Sequence, residues 1–195
     1  MVAWLDALLD ACGESDEALA EDVRQAARWH DAGKAHEVFQ NAMKDADQGT
    51  LWAKAPEMEH YERPGFRHEL ASAVAMLQQG LPDLAAYLAA AHHGKVRLSI
   101  RSLPHEWTPT NPFSRFARGI WDGDRLPEAD LGSGLTLPET EIDLSYMELG
   151  EGPKGRSWLA RTIALRDAVG PFRLAYLETL LRAADWRASA GKEGA

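Results

Sequence analysis

The sequence predicts an all-α domain of about six or seven helices around one core. Alanine, leucine and arginine, which favour helices, outnumber the β-branched residues. Apolar residues recur at helical spacing in several segments, and most of these segments are bounded by a capping residue, a proline or a glycine. The chain has 195 residues, enough for one well-buried domain and short for two, so we expect a single domain over residues 1–195.

Five helices are predicted in the first half of the chain. In order, they span residues 2–11, 15–30, 35–43, 66–77 and 82–91. A polar loop over 44–65 interrupts them. The first helix begins without a capping residue, so we interpret the chain as a fragment of a longer protein.

The second half is predicted to hold a long loop and two more helices. Residues 95–101 alternate between apolar and polar side chains, which is typical of one short strand or extended segment. Residues 102–156 are rich in proline, glycine and acids, so we expect an irregular loop over roughly 95–156. Helices are predicted over 157–169 and from 171 onward.

Composition excludes several classes of protein. The net charge of −9 argues against a surface that binds nucleic acid as a whole. No run of about 18 apolar residues and no export signal occurs, so we predict a cytoplasmic protein without a membrane span. The single cysteine, Cys12, fits a reducing compartment and is expected to fill the core.

One stretch of the chain is basic. Between Lys95 and Arg118 there are five basic residues and one acid, Glu106. This excess has two interpretations, a solvated loop or a surface that follows nucleic-acid phosphates. Under the second interpretation Lys95, Arg97 and Arg101 would bind nucleic acid.

Histidines and aspartates cluster at the ends of four predicted helices. Four imidazoles and two carboxylates belong to this set: His30, Asp31, His68, His92, His93 and Asp185. A single core histidine is usually just hydrogen-bonded, but six such side chains are enough for two metals bridged by Asp31. Mixed nitrogen and oxygen ligands favour Mn²⁺, Fe²⁺, Co²⁺, Ni²⁺ or Zn²⁺. A bridging hydroxide would attack phosphorus and Lys34 would offset the developing charge, so we predict phosphoester hydrolysis.

The motifs around these residues resemble a known family. They are His-Asp-x-Gly-Lys-x-His at 30–36 followed by Phe39-Gln40, Arg-His-Glu at 67–69, His-His-Gly at 92–94 and Ala-Asp-Trp-Arg-Ala-Ser at 184–189. Together they resemble the HD phosphohydrolase superfamily, and within it the HD nuclease domain of the CRISPR-associated type I helicase–nuclease. The resemblance covers nearly the whole chain. Segments 119–127 and 170–175 resemble the variant in which the HD domain follows the helicase, types I-U and I-G.

The resemblance implies a fold, an activity and partners. It implies an HD-domain helical bundle that acts as a metal-dependent endo- or exonuclease on single-stranded DNA. The partners would be a superfamily 2 helicase domain and the CRISPR surveillance complex. Asp31 and Lys34 would be catalytic. One metal would be held by His30, Asp31 and Asp185, and the other by Asp31, His68, His92 and His93.

The sequence departs from the family pattern at one position. The family has a further histidine on its first helix, whereas no histidine precedes His30. We therefore expect the site at His68, His92 and His93 to be well occupied, the site beside Asp185 to be weak, and hydrolysis to be slow unless an upstream histidine is restored. Two alternatives stay open: an HD phosphohydrolase of nucleotides or cyclic nucleotides, and an impaired HD module that only binds its helicase or DNA.

Overall fold

Helices dominate the computed structural model, which describes residues 1–43, 51, 53–54 and 58–190. This part of the chain forms seven α-helices, in agreement with the predicted number. They are α1 (Val2–Ala11), α2 (Glu17–Trp29), α3 (Glu37–Gln40), α4 (His68–Gln78), α5 (Asp83–Ala91), α6 (Trp158–Val169) and α7 (Pro171–Ala190). Two 3-10 turns, Ala32–Ala35 and Leu144–Met147, complete the helical elements. None of the described helices is long and apolar enough to cross a bilayer.

The core is built around α4 and α5. Every residue of α5 from Leu84 to Ala91 is buried, as expected for a helix that is apolar on all sides. Its five alanines let α2 and α4 approach closely. α1 packs on α7, and both of these helices contact α2, so the ends of α2, α4, α5 and α7 meet in one region.

Local chemistry sets the helix boundaries. The side chain of Asp16 accepts a hydrogen bond from the Leu19 amide at 3.1 Å and caps α2, and Ser157 caps α6 in the same way. α4 begins two residues later than predicted, because Arg67 is extended and its amide donates to the Arg118 carbonyl at 3.0 Å. His68 is therefore the first residue of α4.

The long loop is more ordered than predicted. It contains eight short strands in four two-stranded antiparallel sheets, in which β1 pairs with β2, β3 with β6, β4 with β5 and β7 with β8. The strands are β1 (Phe116–Ala117), β2 (Ile120–Trp121), β3 (Arg125–Leu126), β4 (Ala129–Gly132), β5 (Leu135–Leu137), β6 (Thr140–Glu141), β7 (Glu151–Gly152) and β8 (Gly155–Arg156). The glycines that suggested irregularity include turn residues with positive φ, such as Gly134 at 75° and Gly155 at 85°.

Three further expectations are corrected. No strand forms over 95–101, all of which the structure describes; bends interrupt the chain there, and only Val96 and Ile100 are buried. Cys12 is exposed, because it follows the last turn of α1 and faces away from the core. The helix expected over 35–43 is shorter, since the 3-10 turn at Ala32–Ala35 precedes it. Much of the loop expected over 44–65 lies outside the described residues.

A buried ionic cluster fixes the strand-rich segment to the helices. His36 is fully buried, and its Nε2 lies 3.0 Å from Asp124 Oδ2. The same oxygen accepts hydrogen bonds from Arg63 Nη1 at 2.6 Å and from the Trp121 amide at 2.7 Å. The guanidinium of Arg63 also lies over the Trp121 ring, 3.7 Å from its centroid. One carboxylate thus joins the residues after the His-Asp motif, the residues before α4 and the β2–β3 turn.

This cluster predicts an acid-sensitive contribution to stability. Burial alone would raise the pKa of Asp124, but His36, Arg63 and the Trp121 amide outweigh it and hold that pKa below its usual value. A carboxylate with a lowered pKa stabilises the fold above its unfolded-state pKa of about 4, and this stabilisation is lost as pH falls through the folded-state pKa. Asp124→Asn should therefore lower the free energy of unfolding at pH 7 by about 1–3 kcal/mol.

Denaturant unfolding at pH 7 and at stepwise lower pH measures this effect. The gap between wild type and Asp124→Asn should shrink below about pH 4. Glu128→Gln, which changes an exposed carboxyl, serves as the control. A gap that stays constant down to the acid transition would show that the Asp124 charge does not stabilise the fold.

Candidate metal centre

The six predicted ligands come from four elements of the fold. His30 and Asp31 follow α2, His68 begins α4, His92 and His93 follow α5, and Asp185 lies on α7. His30, His68 and His92 are buried, Asp31 and Asp185 are half-buried, and His93 is exposed. The structure brings these side chains to one place, although they are up to 155 residues apart in the sequence.

Close backbone packing brings the His-Asp motif onto α4. A Cβ atom at Gly33 would lie 2.1 Å from the His68 carbonyl oxygen and 2.8 Å from the Ser72 amide nitrogen. The Ser72 hydroxyl accepts from the Gly33 amide and donates to the His30 carbonyl, both at 2.7 Å. Gly33, which lies within the 3-10 turn Ala32–Ala35, is therefore required for close approach to α4. Ser72 was missed; its one signal is a polar residue inside an alanine-rich helix.

Asp31 lies between two imidazoles. Its Oδ1 is 3.3 Å from His68 Nε2, whereas its Oδ2 is 3.4 Å from His30 Nε2. Lys34 Nζ lies 2.8 Å from the same Oδ2. The two oxygens of one carboxylate thus face different histidines, which is the arrangement that a bridging ligand requires.

Hydrogen bonds set the orientation of two imidazoles. His30 Nδ1 lies 2.9 Å from the Ala27 carbonyl oxygen, and His92 Nδ1 lies 2.6 Å from the Ala89 carbonyl oxygen. Because a carbonyl can only accept, each Nδ1 carries hydrogen, and in the neutral ring Nε2 keeps its lone pair. A hydrogen bond to the other ring nitrogen is a common feature of metal-binding histidines.

Three of the ligand histidines have an unsatisfied buried nitrogen. Nε2 of His30, of His68 and of His92 is buried and has no hydrogen-bond partner among the described residues. An unsatisfied buried polar atom costs about 1–3 kcal/mol, and coordination to a cation would satisfy all three. The donor set therefore fits a transition metal.

Two groups of ligand atoms are close enough to hold an ion. One group consists of His68, His92 and His93, and the other of His30, Asp31 and His92, with the atoms of each group within 4.8 Å of one another. Asp185 Oδ1 lies 3.6 Å from His30 Nε2, next to the second group. His92 therefore lies within reach of both positions, whereas the resemblance implied a place in one alone.

Burial keeps two of the histidines neutral. Burial, followed by the nearby His30 and His93, lowers the pKa of His92 to about 3. Burial and the neighbouring His68 also lower the pKa of His93. Neutral imidazole is the form that binds metal, so both side chains are ready to coordinate at physiological pH.

The position at His30 is surrounded by two carboxylates, those of Asp31 and Asp185. Burial lowers the pKa of His30, but Asp31 and Asp185 outweigh burial and raise it overall. Burial raises the pKa of Asp31, but His30, His68 and Lys34 together bring it well below its usual value. The nearby His30 imidazole likewise lowers the pKa of Asp185. A proton and a metal therefore compete for His30 Nε2, while both carboxylates stay ionised.

Glu69 is a further residue of the centre. It is 1% exposed, and its Oε2 lies 3.8 Å from His68 Nδ1. Within the described part of the chain, neither of its oxygens has a hydrogen-bond partner. In the sequence, Glu69 stands out only as part of the Arg-His-Glu motif at 67–69. It lies beside the Nδ1 of His68, but at 3.8 Å it forms no hydrogen bond with that ring.

The predicted DNA-binding residues lie beside this centre, in the segment that follows His93. Lys95, Arg97 and Arg101 are exposed. Arg97 Nη2 donates to Glu178 Oε2 at 2.7 Å, so an acid partly offsets its charge. Glu178 also accepts from the Tyr87 hydroxyl at 2.6 Å.

Comparison with known proteins identifies the family. The family model described as Cas3, HD domain matches residues 2–192. This chain belongs to the Cas3 HD domain family. The searches of curated proteins and of solved structures returned no match.

Membership confirms the main expectation from the motifs. A Cas3 HD domain is a metal-dependent HD nuclease of CRISPR systems, so the chain is a hydrolase of the HD phosphohydrolase type. The buried histidines of this Cas3 HD domain fit metal binding. The match says nothing about the I-U/I-G variant, which stays a prediction.

Proposed function

We propose that this Cas3 HD domain hydrolyses phosphodiester bonds of single-stranded DNA during CRISPR interference. The arrangement of Asp31 supports the proposal most strongly, because its two oxygens face His68 and His30 while Lys34 lies against one of them. Such a carboxylate can join two cations at the distance that phosphodiester hydrolysis uses. A site that only binds phosphate would not need a carboxylate shared between two cations.

The residues divide into two metal positions. His68, His92 and His93 with Asp31 would hold one ion, and His30, Asp31 and Asp185 would hold the other. Mn²⁺, Fe²⁺, Co²⁺, Ni²⁺ and Zn²⁺ suit this mixture of nitrogen and oxygen ligands. A bound ion of this kind supplies a nucleophilic hydroxide near neutral pH.

Lys34 and Asp31 have the catalytic roles. The ammonium of Lys34, 2.8 Å from Asp31, stands where negative charge grows on the phosphoryl oxygens. Asp31 holds Lys34 in place through their ion pair and would share the metal ions with the ligand histidines. The domain would act with a superfamily 2 helicase domain, in the same chain or in a separate one, and with the surveillance complex, in the I-U/I-G arrangement and in the cytoplasm.

The impaired-module alternative has one observation in its favour and one against it. No histidine precedes His30 in the chain. His92, however, lies in the same group as His30 and Asp31, so it can complete either position. We therefore favour weak metal binding at His30, Asp31 and Asp185 over no metal binding there.

The basic segment should bind the DNA backbone. Exchanging Lys95 and Arg101 together for alanine should weaken binding of a single-stranded oligonucleotide and lower its salt slope by about 1–2. Arg97→Ala should reduce the affinity and the salt slope less, since Glu178 already offsets the charge of Arg97. Fluorescence anisotropy at several salt concentrations measures both quantities.

Arg125→Ala is the matched control, because Arg125 is exposed on β3, away from this segment. If the Lys95/Arg101 double variant keeps the wild-type affinity and salt slope, the segment is a solvated loop and not a DNA-binding surface.

Substrate preference separates nuclease from nucleotide phosphohydrolase. With Mn²⁺, Co²⁺ or Ni²⁺ in excess, we expect slow cleavage of a labelled single-stranded oligonucleotide, less cleavage of its duplex and none of a cyclic nucleotide. Chelation of the metal should stop the reaction. Hydrolysis of the cyclic nucleotide with the oligonucleotide left intact would contradict the proposal.

A further inference from the structure

A cavity of about 820 Å³ opens beside the metal centre. His30, Asp31 and Lys34 line it where it meets the centre, and residues 129–135 of the β4–β5 hairpin line it as well. The first residues of α1, Met1 and Val2, border it as well. Clefts of roughly 300–1,000 Å³ accommodate small organic ligands, so this space is large enough for one nucleotide.

The two ends of the cavity differ in chemistry. Near the centre lies the Lys34 ammonium, which favours an anion. At the hairpin end, Leu131 and Leu135 are half-buried and pack on the core while they also border the cavity. A phosphate suits the first end, and the flat apolar face of a base suits the second.

An acid at the hairpin reinforces this polarity. Asp130 borders the cavity, and its Oδ1 accepts a hydrogen bond from the Gly132 amide at 2.8 Å within its own turn. A phosphate next to this carboxylate would be repelled. Asp31 shares the charge of Lys34 at 2.8 Å, so the ions that the centre would hold are needed to attract a phosphate to that side, while Asp130 disfavours a phosphate at the hairpin and leaves the leucines to the base.

The hairpin is held in place by the fold. Ala129 pairs with Leu137 and Gly132 with Leu135, and β4 contacts both α2 and the 3-10 turn that carries Lys34. The β4–β5 hairpin and the 3-10 turn that carries Lys34 are thus packed against each other.

We propose that the β4–β5 hairpin and the start of α1 form a nucleoside-binding site that receives one unpaired nucleotide beside the scissile phosphate. This inference rests on the proposed nuclease function and adds a specificity element to it. A base in this site has left its stack and its pair, which costs least in a strand that is already single, so a single strand is favoured over a duplex. The side chains of Leu131 and Leu135 offer no hydrogen bonds, so these two contacts do not distinguish one base from another.

Photo-crosslinking tests the position of the base without relying on turnover. A single strand that carries 4-thiothymidine is mixed with the metal-loaded chain and irradiated at once, and the crosslinked peptides are identified by mass spectrometry. Crosslinks in residues 129–137 or 1–3 are expected. Crosslinks confined to 95–101, or no crosslinks at all, would overturn the site.

Kinetics of the double variant Leu131→Ser/Leu135→Ser provide the second test. We expect KM for the oligonucleotide to rise roughly tenfold, since two apolar contacts with the base are lost, while kcat and metal content stay near wild type. Leu149→Ser, at a leucine that is 80% exposed, is the control. A drop in metal content or kcat with unchanged KM would mean that the leucines only support the fold.

The two hypotheses fail in different ways. Metal-dependent cleavage without crosslinks at the hairpin leaves the nuclease function standing and removes the nucleoside site. Crosslinks at the hairpin without any metal-dependent cleavage would instead contradict the nuclease function.

Discussion

Replacing His92 by alanine is expected to lower metal affinity more than any other single exchange at a ligand histidine. Its Nε2 is buried, belongs to both groups of candidate ligands and lacks a hydrogen-bond partner in the described part of the chain. Loss of a residue that only orients a ligand costs about 10–100-fold in metal affinity, so loss of His92 itself should cost more than about 100-fold. Metal content after dialysis, determined by inductively coupled plasma mass spectrometry, measures the change.

His60→Ala is the matched control, because His60 is an exposed histidine outside the ligand set. The pKa of His92, lowered to about 3 by burial, means that its replacement removes no charge at pH 7. The exchange does leave a cavity in the core, so thermal unfolding without metal is measured in parallel to separate a loss of stability from a loss of ligand. Wild-type metal content in His92→Ala would show that the ions bind elsewhere.

Gly33→Ala should both destabilise the fold and separate the metal ligands. The new Cβ would meet three neighbours at 2.1–2.9 Å, two of which are backbone atoms of α4 that cannot move alone. Overpacking usually costs about 1–3 kcal/mol and occasionally more, so we expect about 3 kcal/mol. The 3-10 turn must also move away from α4, which lengthens the 3.3 Å separation between Asp31 and His68 and lowers metal affinity.

Gly152→Ala provides the comparison for this exchange. Gly152 has no positive φ, and no atom of the described residues lies within 4 Å of the place that its Cβ would occupy, so alanine should be tolerated there. Urea unfolding and metal content are measured for both variants. If Gly33→Ala unfolds at the same urea concentration as Gly152→Ala, the close approach of the motif to α4 is not required.

The helices, and the histidines and aspartates that occur near their ends, could be predicted because they depend on local chemistry. Helical spacing and capping residues such as Ser157 and Gly170 are visible in the sequence and set the helix ends. The histidines occur at those ends, so their convergence followed once the helices packed together. The family motifs added the identity of the reaction.

The sequence could not reveal contacts between distant residues. Ser72 joins the carbonyl of His30 to the amide of Gly33 across about forty positions, and Asp124 reaches both His36 and Arg63. Neither contact has a periodic pattern. The short strands of the loop were missed for a related reason, since strands of two to four residues are too short to show alternation.

The reach of His92 to both metal positions also depends on geometry. In the sequence His92 and His93 are equivalent neighbours. Only the direction of the helix end buries His92 between His30 and His68, with ring centroids at 5.1 Å and 5.6 Å, while His93 stays exposed.

The most direct test follows metal binding and DNA cleavage in the same sample. Co²⁺ is titrated into the wild-type chain and into Asp31→Asn, and bound metal and cleavage of a single-stranded oligonucleotide are measured at each step. We predict that cleavage by the wild type requires bound Co²⁺ and rises mainly as the weaker position beside Asp185 fills, and that Asp31→Asn shows no cleavage at any loading. Equal cleavage by Asp31→Asn, or cleavage by wild type stripped of metal, would contradict a nuclease centre built on Asp31.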